Sequence, residues 1–147
     1  MNIFGMVKTK VLLADDDIDD RDIFHSAISD QQDKIFLSDA ENGVEVIEFL
    51  EAVIQDSDLP DLIVLDQNMP KMNGKQTLEY LKTSARYSHI PVIIYSTYKD
   101  RNLVNDCSKL GALMVAIKPY TYHGYQDMVN SFLKVINQFP AQHLRIS

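Results

Sequence analysis

The sequence predicts an α/β fold, a doubly wound sheet of five parallel strands in the order 2-1-3-4-5 with helices on both faces. Two observations carry that prediction. Apolar, largely β-branched runs of strand length alternate five times with segments of helical periodicity, and strands buried on both faces belong to parallel sheets packed between helices. Apolar residues also make up 46% of 147 residues, enough for one domain of that length to close a core.

The elements follow in order. Val11-Leu12-Leu13-Ala14 is a short apolar run stopped by acids, and Ile23, Phe24, Ala27 and Ile28 then share one helical face. Ile35-Phe36-Leu37 reads as a second strand. Asn42 and Gly43 open a second helix, whose core face is expected to be Val44, Ile47, Leu50 and Ile54. Leu62-Ile63-Val64-Leu65 is the clearest strand, ending at Asp66, and a third helix starting near Gly74 turns Leu78 and Leu81 inward. Pro91 introduces the strand Val92-Ile93-Ile94-Tyr95. A fourth helix presents Leu103, Cys107 and Leu110, with Gly111 placed to end it. Ala112 to Ile117 gives the fifth strand, and a last helix puts Met128, Phe132, Val135, Ile136 and Phe139 on or near one face. Right-handed crossovers leave few topologies for such a chain, and the common one makes strands one and three neighbours. One domain over residues 1–147 is expected, its core spanning about 9–138, with no linker or output domain.

Composition narrows the partners. The net charge of −7 and the lack of any Lys/Arg cluster point away from nucleic acid. No apolar run is long enough to cross a bilayer, and Met1 to Met6 is too short for a secretory leader. A single cysteine excludes an internal disulfide, and Cys107 sits at core spacing. A cytoplasmic protein is the expectation. His25, His89, His123 and His143 show no metal-ligand spacing.

In a doubly wound sheet, ligands sit beyond the carboxyl ends of the strands at the switch point. There the first strand ends in Asp15 and Asp16, the third in Asp66, the fourth in Ser96 and Thr97, and the fifth in Lys118. Carboxylates held this close repel one another unless a cation relieves them, and Mg²⁺, a hard ion favouring oxygen ligands, is the natural candidate. An aspartate is a competent nucleophile towards an activated phosphoryl group, whose charge Mg²⁺ and one lysine can neutralise. Asp17, Asp19 and Asp20 are assigned instead to capping the first helix.

Here the chain resembles the response-regulator receiver domains of two-component signalling, flavodoxin-like in fold. The resemblance rests on Leu13-Ala14-Asp15-Asp16-Asp17, Leu65-Asp66-Gln67-Asn68-Met69-Pro70, Pro91-Val92-Ile93-Ile94-Tyr95-Ser96 and Lys118-Pro119-Tyr120, in order and at receiver-like spacing. It implies that Asp66 is the phosphoacceptor and that Asp16 binds Mg²⁺, with Asp15 acting directly or through water. It further implies that Asn68 supplies a backbone carbonyl, that Ser96 turns towards the phosphoryl group, that Lys118 pairs with it, and that the Lys118–Pro119 bond is cis. The implied donor is a histidine of a sensor kinase or phosphotransfer protein; the implied output is a downstream protein or a homodimer. The lack of a fused effector resembles single-domain receivers.

The chain departs from the family pattern in places. Val115 stands where receivers carry a switching aromatic, and Thr97 where they usually have Ala or Gly. With Tyr98 following, slow phosphoryl turnover is expected. Tyr120, Tyr122 and Tyr125 are candidates for core or for a partner surface. Two alternatives stay open: a pseudo-receiver that only docks, and a phosphatase resembling the haloacid dehalogenases. In the latter, Asp15 is the nucleophile and Asp17 the general acid, although the acidic pair after a later strand and the cap insertion are missing.

Overall fold

A computed structural model of the chain describes residues 8–138. Five strands, β1 (Thr9–Ala14), β2 (Ile35–Ala40), β3 (Leu62–Asp66), β4 (Val92–Ser96) and β5 (Met114–Ile117), alternate with five helices. These are α1 (Ile18–Ala27), α2 (Gly43–Ala52), α3 (Gly74–Thr83), α4 (Arg101–Leu110) and α5 (Tyr122–Asn137). All the strands pair in parallel, in the order β2-β1-β3-β4-β5. The fold class and strand order are those expected.

Period-two alternation splits the strand side chains between two cores. Leu12, Ile63, Leu65, Val92 and Ile94 face Val46, Leu50, Leu78, Leu81 and Cys107 of α2, α3 and α4. Val11, Leu13, Leu62, Val64, Ile93 and Tyr95 face Phe24 and Ala27 of α1 and Tyr125, Met128, Val129, Phe132 and Ile136 of α5. Because β1 and β3 lie inside the sheet, their carboxyl ends open onto one edge rather than a flank.

The helices begin at side-chain caps, as their short polar leaders require. Asp17 accepts from the backbone N–H groups of Asp19 and Asp20 at 2.9 and 3.4 Å, and Asn42 from Glu45 at 3.0 Å. Asn73 and Gln76 form a reciprocal capping box on α3. Asp100 and Thr121 cap α4 and α5. At the other end of α4, Gly111 takes φ 102°, a left-handed value that costs residues with a Cβ roughly 1–2 kcal/mol. Gly111→Ala is therefore expected to lower the melting temperature by about 3–6 °C, read by circular dichroism. An unchanged melt would mean that the turn relaxes.

Four details differ from expectation. The buried stripe of α2 is Gly43, Val46 and Leu50, whereas Val44 is 41% exposed and Ile54, past the helix end, is 90% exposed. This helix is apolar on nearly every side, so several stripes fit its period and only docking selects one. β5 starts at Met114 rather than Ala112, because the N–H groups of Gly111 and Ala112 close the end of α4 on Ser108 and Cys107. Val135 is half-buried rather than a core residue. Finally, no described peptide bond is cis, so Lys118–Pro119 is trans. Trans is the preferred X–Pro isomer by about 0.5–1 kcal/mol, and Lys118 reaches all its partners from it. Phe139, the tail from Pro140 to Ser147 and the Met1 to Met6 stretch lie outside the described residues.

Candidate phosphorylation site

The carboxyl ends of β1, β3, β4 and β5 bring the site together. Ala14 pairs with Leu65 and Asp66 with Tyr95, so the residues after Ala14 stand beside the end of β3. Ser96 pairs with Ile117, the residue before Lys118. α3 approaches so closely that a Cβ on Gly74 would come within 2.7 Å of the Asp66 carbonyl oxygen, which only glycine permits.

Asp15, Asp16 and Asp66 each offer a carboxylate oxygen within 4.8 Å of the others. Asp15 is completely buried and Asp66 is 2% exposed, while Asp16 faces solvent. Lys118, 6% exposed, lies among the acids, its Nζ 3.0 Å from Asp15, 3.1 Å from Asp66 and 2.8 Å from Asp20. Asp15 Oδ1 accepts from the Asp17 N–H at 2.9 Å, and Oδ2 accepts from the Tyr95 hydroxyl. The buried Arg21 guanidinium donates to the Asp15 carbonyl at 2.6 Å. Asp66 Oδ1 accepts from the Asn68 N–H at 3.2 Å. Ser96 is buried, and its Oγ accepts from the Tyr98 N–H at 3.2 Å. Thr97 and Tyr98 are exposed at the rim.

Burial, with the charge of Asp15 added, pushes the Asp66 carboxyl up to about 7 against the pull of Lys118 and the Asn68 N–H. Burial alone disfavours the Lys118 ammonium, yet hydrogen bonds to Asp20 and Asp15 and the surrounding negative charge hold its pKa above the ordinary value. The Tyr95 phenol is raised by burial and then by Asp15. Asp15, Asp66 and Lys118 are therefore held in a buried, electrically strained arrangement that a divalent cation would relieve. The donor set suits a hard ion, being entirely carboxylate oxygen.

Asp15, Asp16, Asp66, Ser96 and Lys118 thus meet at one edge, as the sequence predicts. Asn68 joins through its N–H. Val115 lies on the opposite face of the sheet, in the core with α4. Two participants were not foreseen. Asp20 does not cap α1, since its N–H donates to the Asp17 cap while its carboxylate pairs with Lys118; the available signal was its place one turn beyond Asp16, facing the end of β1. Tyr95 was assigned only to its strand, yet a hydroxyl in an otherwise aliphatic buried run demands a partner. Of the two acids the phosphatase reading relies on, Asp17 caps α1 and Asp15 is engaged at both oxygens, as Asp66 also is by Asn68 and Lys118. Among the described residues, no helix is long and apolar enough to cross a membrane.

Comparison with known proteins places this geometry in context. A family model described as "Response regulator receiver domain" matches residues 11–130. Sporulation initiation phosphotransferase F of Bacillus subtilis is 27% identical over 128 residues, 87% of this chain and 96% of that protein. Chemotaxis protein CheY1 of Helicobacter pylori is 33% identical over 112 residues, covering 76% of this chain and 86% of the relative. Among solved structures, the Mn(2+)-bound form of response regulator Rcp1 superposes with a TM-score of 0.73 at 22% identity, over 82% of this chain and 91% of that one.

Proposed function

The chain belongs to the response regulator receiver family, and on that premise we propose that it is a switch phosphorylated on Asp66. The observation that carries the proposal is the convergence of Asp15, Asp16 and Asp66 with the Lys118 ammonium at one sheet edge. The donor is a phosphohistidine on a sensor kinase or phosphotransfer protein. An Asp66 carboxylate oxygen attacks phosphorus, the P–N bond breaks, and the imidazole leaves with the bonding pair, taking a proton from solvent. An acyl phosphate remains on Asp66.

Each neighbour has a task. Lys118 transfers its ion pair from Asp66 to a phosphoryl oxygen, and the Ser96 hydroxyl turns from its turn to donate to another. Asp16, Asp66 and the Asn68 carbonyl would hold Mg²⁺, with Asp15 acting directly or through water; a related fold bound to Mn(2+) supports a divalent ion here. When bound, Mg²⁺ supplies positive charge to the transferring phosphoryl oxygens. Thr97 and Tyr98 at the rim hinder water, so turnover is slow. With Val115 in place of an aromatic, the output reaches its partner, a downstream protein or a second copy, by another route. The setting we propose is the cytoplasm, with neither membrane nor nucleic acid as partner.

Intact-mass spectrometry after incubation with Mg²⁺ and a phosphorylated histidine kinase tests this reading. One phosphoryl should be gained, should map to Asp66, should disappear when Mg²⁺ is chelated, and should persist well beyond seconds. An unmodified chain would favour a constitutive docking role instead.

A further inference from the structure

The geometry points to Tyr95 as a positioning residue of this site, its hydroxyl fixing the Asp15 carboxylate and its ring bearing on the Lys118 ammonium. The inference rests on the phosphoacceptor reading above and adds a participant to it.

Tyr95 is the last β4 side chain on the face packed against α1 and α5, and it is fully buried. Its neighbours on that face of the sheet, Leu13, Val64 and Ile93, are aliphatic. A phenol there extends a polar atom from the core to the floor of the site, where Asp15 Oδ2 receives it. The same oxygen accepts from Lys118 at 3.0 Å, and Oδ1 accepts from Asp17 at 2.9 Å. A carboxylate has about four lone-pair positions, so three are committed to the protein and one is left for a cation or its water. Asp15 is completely buried, and turning it out of this orientation breaks the bond to the phenol with no water to replace it.

Lys118 is confined in the same way. Its Nζ lies 4.8 Å from the centroid of the Tyr95 ring, with carboxylates on its remaining sides. The Tyr95 ring meets Phe24 of α1 edge-on, 6.3 Å between centroids at 79°. α1 also carries Asp20, which binds Lys118. Tyr95, Phe24, the α1 backbone, Asp20 and Lys118 therefore form a closed frame around Asp15. Outer partners of this kind commonly change metal affinity by about 10–100-fold when removed.

The measurement is the Mg²⁺ dissociation constant of Tyr95→Phe against wild type, by isothermal titration, alongside melting without Mg²⁺. The variant is expected to bind Mg²⁺ about tenfold more weakly. A merely structural tyrosine would lower the melting temperature and leave the affinity within twofold, overturning the assignment. A second probe keeps the hydroxyl: 3-fluorotyrosine installed at position 95 alone, followed by ¹⁹F NMR. Its resonance should shift during Mg²⁺ titration with the midpoint found by calorimetry. A line that does not move overturns the assignment even if the phenylalanine variant fails to fold. Wild type that neither binds Mg²⁺ nor accepts phosphoryl would sink the phosphoacceptor reading itself; wild type that does both beside an unaffected Tyr95→Phe sinks only the role of Tyr95.

Discussion

Lys118→Met is expected to slow phosphoryl transfer to Asp66 by about 10²–10³-fold, the usual cost of losing one donor aimed at developing charge. The methionine keeps the aliphatic stem, so the change isolates the ammonium. The same variant should be markedly less stable without divalent ions. Asp15 and Asp66 would remain buried without their cation, and stripping one partner from a buried ion pair costs about 3 kcal/mol or more. A fall of about 10 °C in melting temperature is the corresponding scale. Mg²⁺ should restore much of the stability, because it neutralises the same carboxylates, yet little of the transfer, because the lysine acts on the phosphoryl oxygens. Quench-flow with a phosphorylated kinase, paired with melts in Mg²⁺ and in chelator, separates the two effects. Transfer at the wild-type rate would remove Lys118 from the mechanism.

Asp66→Asn should work in the opposite direction on stability. Asp66 is raised from 3.8 to about 7 by burial and by Asp15, so the folded chain holds a proton there that the unfolded chain has already released. Between those two values each rise in pH removes stability, and above about 7 the full cost of the ionised group is present. Asparagine is neutral and nearly isosteric. At pH 8 in chelator the variant is expected to melt about 5 °C above wild type, a figure set well below the full shift because Asp15 shares in it. At pH 4 the two melts should converge. Mg²⁺ should raise the wild-type melt strongly and that of the variant little. If the variant melts at or below wild type at pH 8, the charge of Asp66 is not the source of strain.

β1, β3 and β4 were legible because burial on both faces leaves an uninterrupted apolar run, and each run stops at a polar residue. That is why Asp66, Ser96 and Lys118 were found together with the topology: the end of each strand and the site are the same event in the chain. What escaped depends on three-dimensional docking. The stripe that α2 buries is chosen by its neighbours, since Val44, Val46, Ile47 and Phe49 satisfy the period from several directions. Asp20 carries a local duty as a first-turn acid that hides its long-range one, 98 residues from Lys118. Tyr95 looks like any aromatic in a strand until the parity of β4 and the height of β1 are both known. The trans bond before Pro119 has no signature among the flanking residue types at all.

An ammonium has three hydrogens, and the Lys118 ammonium has three carboxylates within 3.1 Å of it, those of Asp15, Asp20 and Asp66. A phosphoryl oxygen can therefore reach that nitrogen only by substitution: one carboxylate must be let go for each anion taken in. On the proposed phosphorylation of Asp66, the number of ion pairs around the lysine would be conserved and only their membership would change. The state of the protein would then be recorded in which acid has been released, and two of the three candidates belong to different parts of the scaffold, Asp20 to a helix and Asp66 to the sheet.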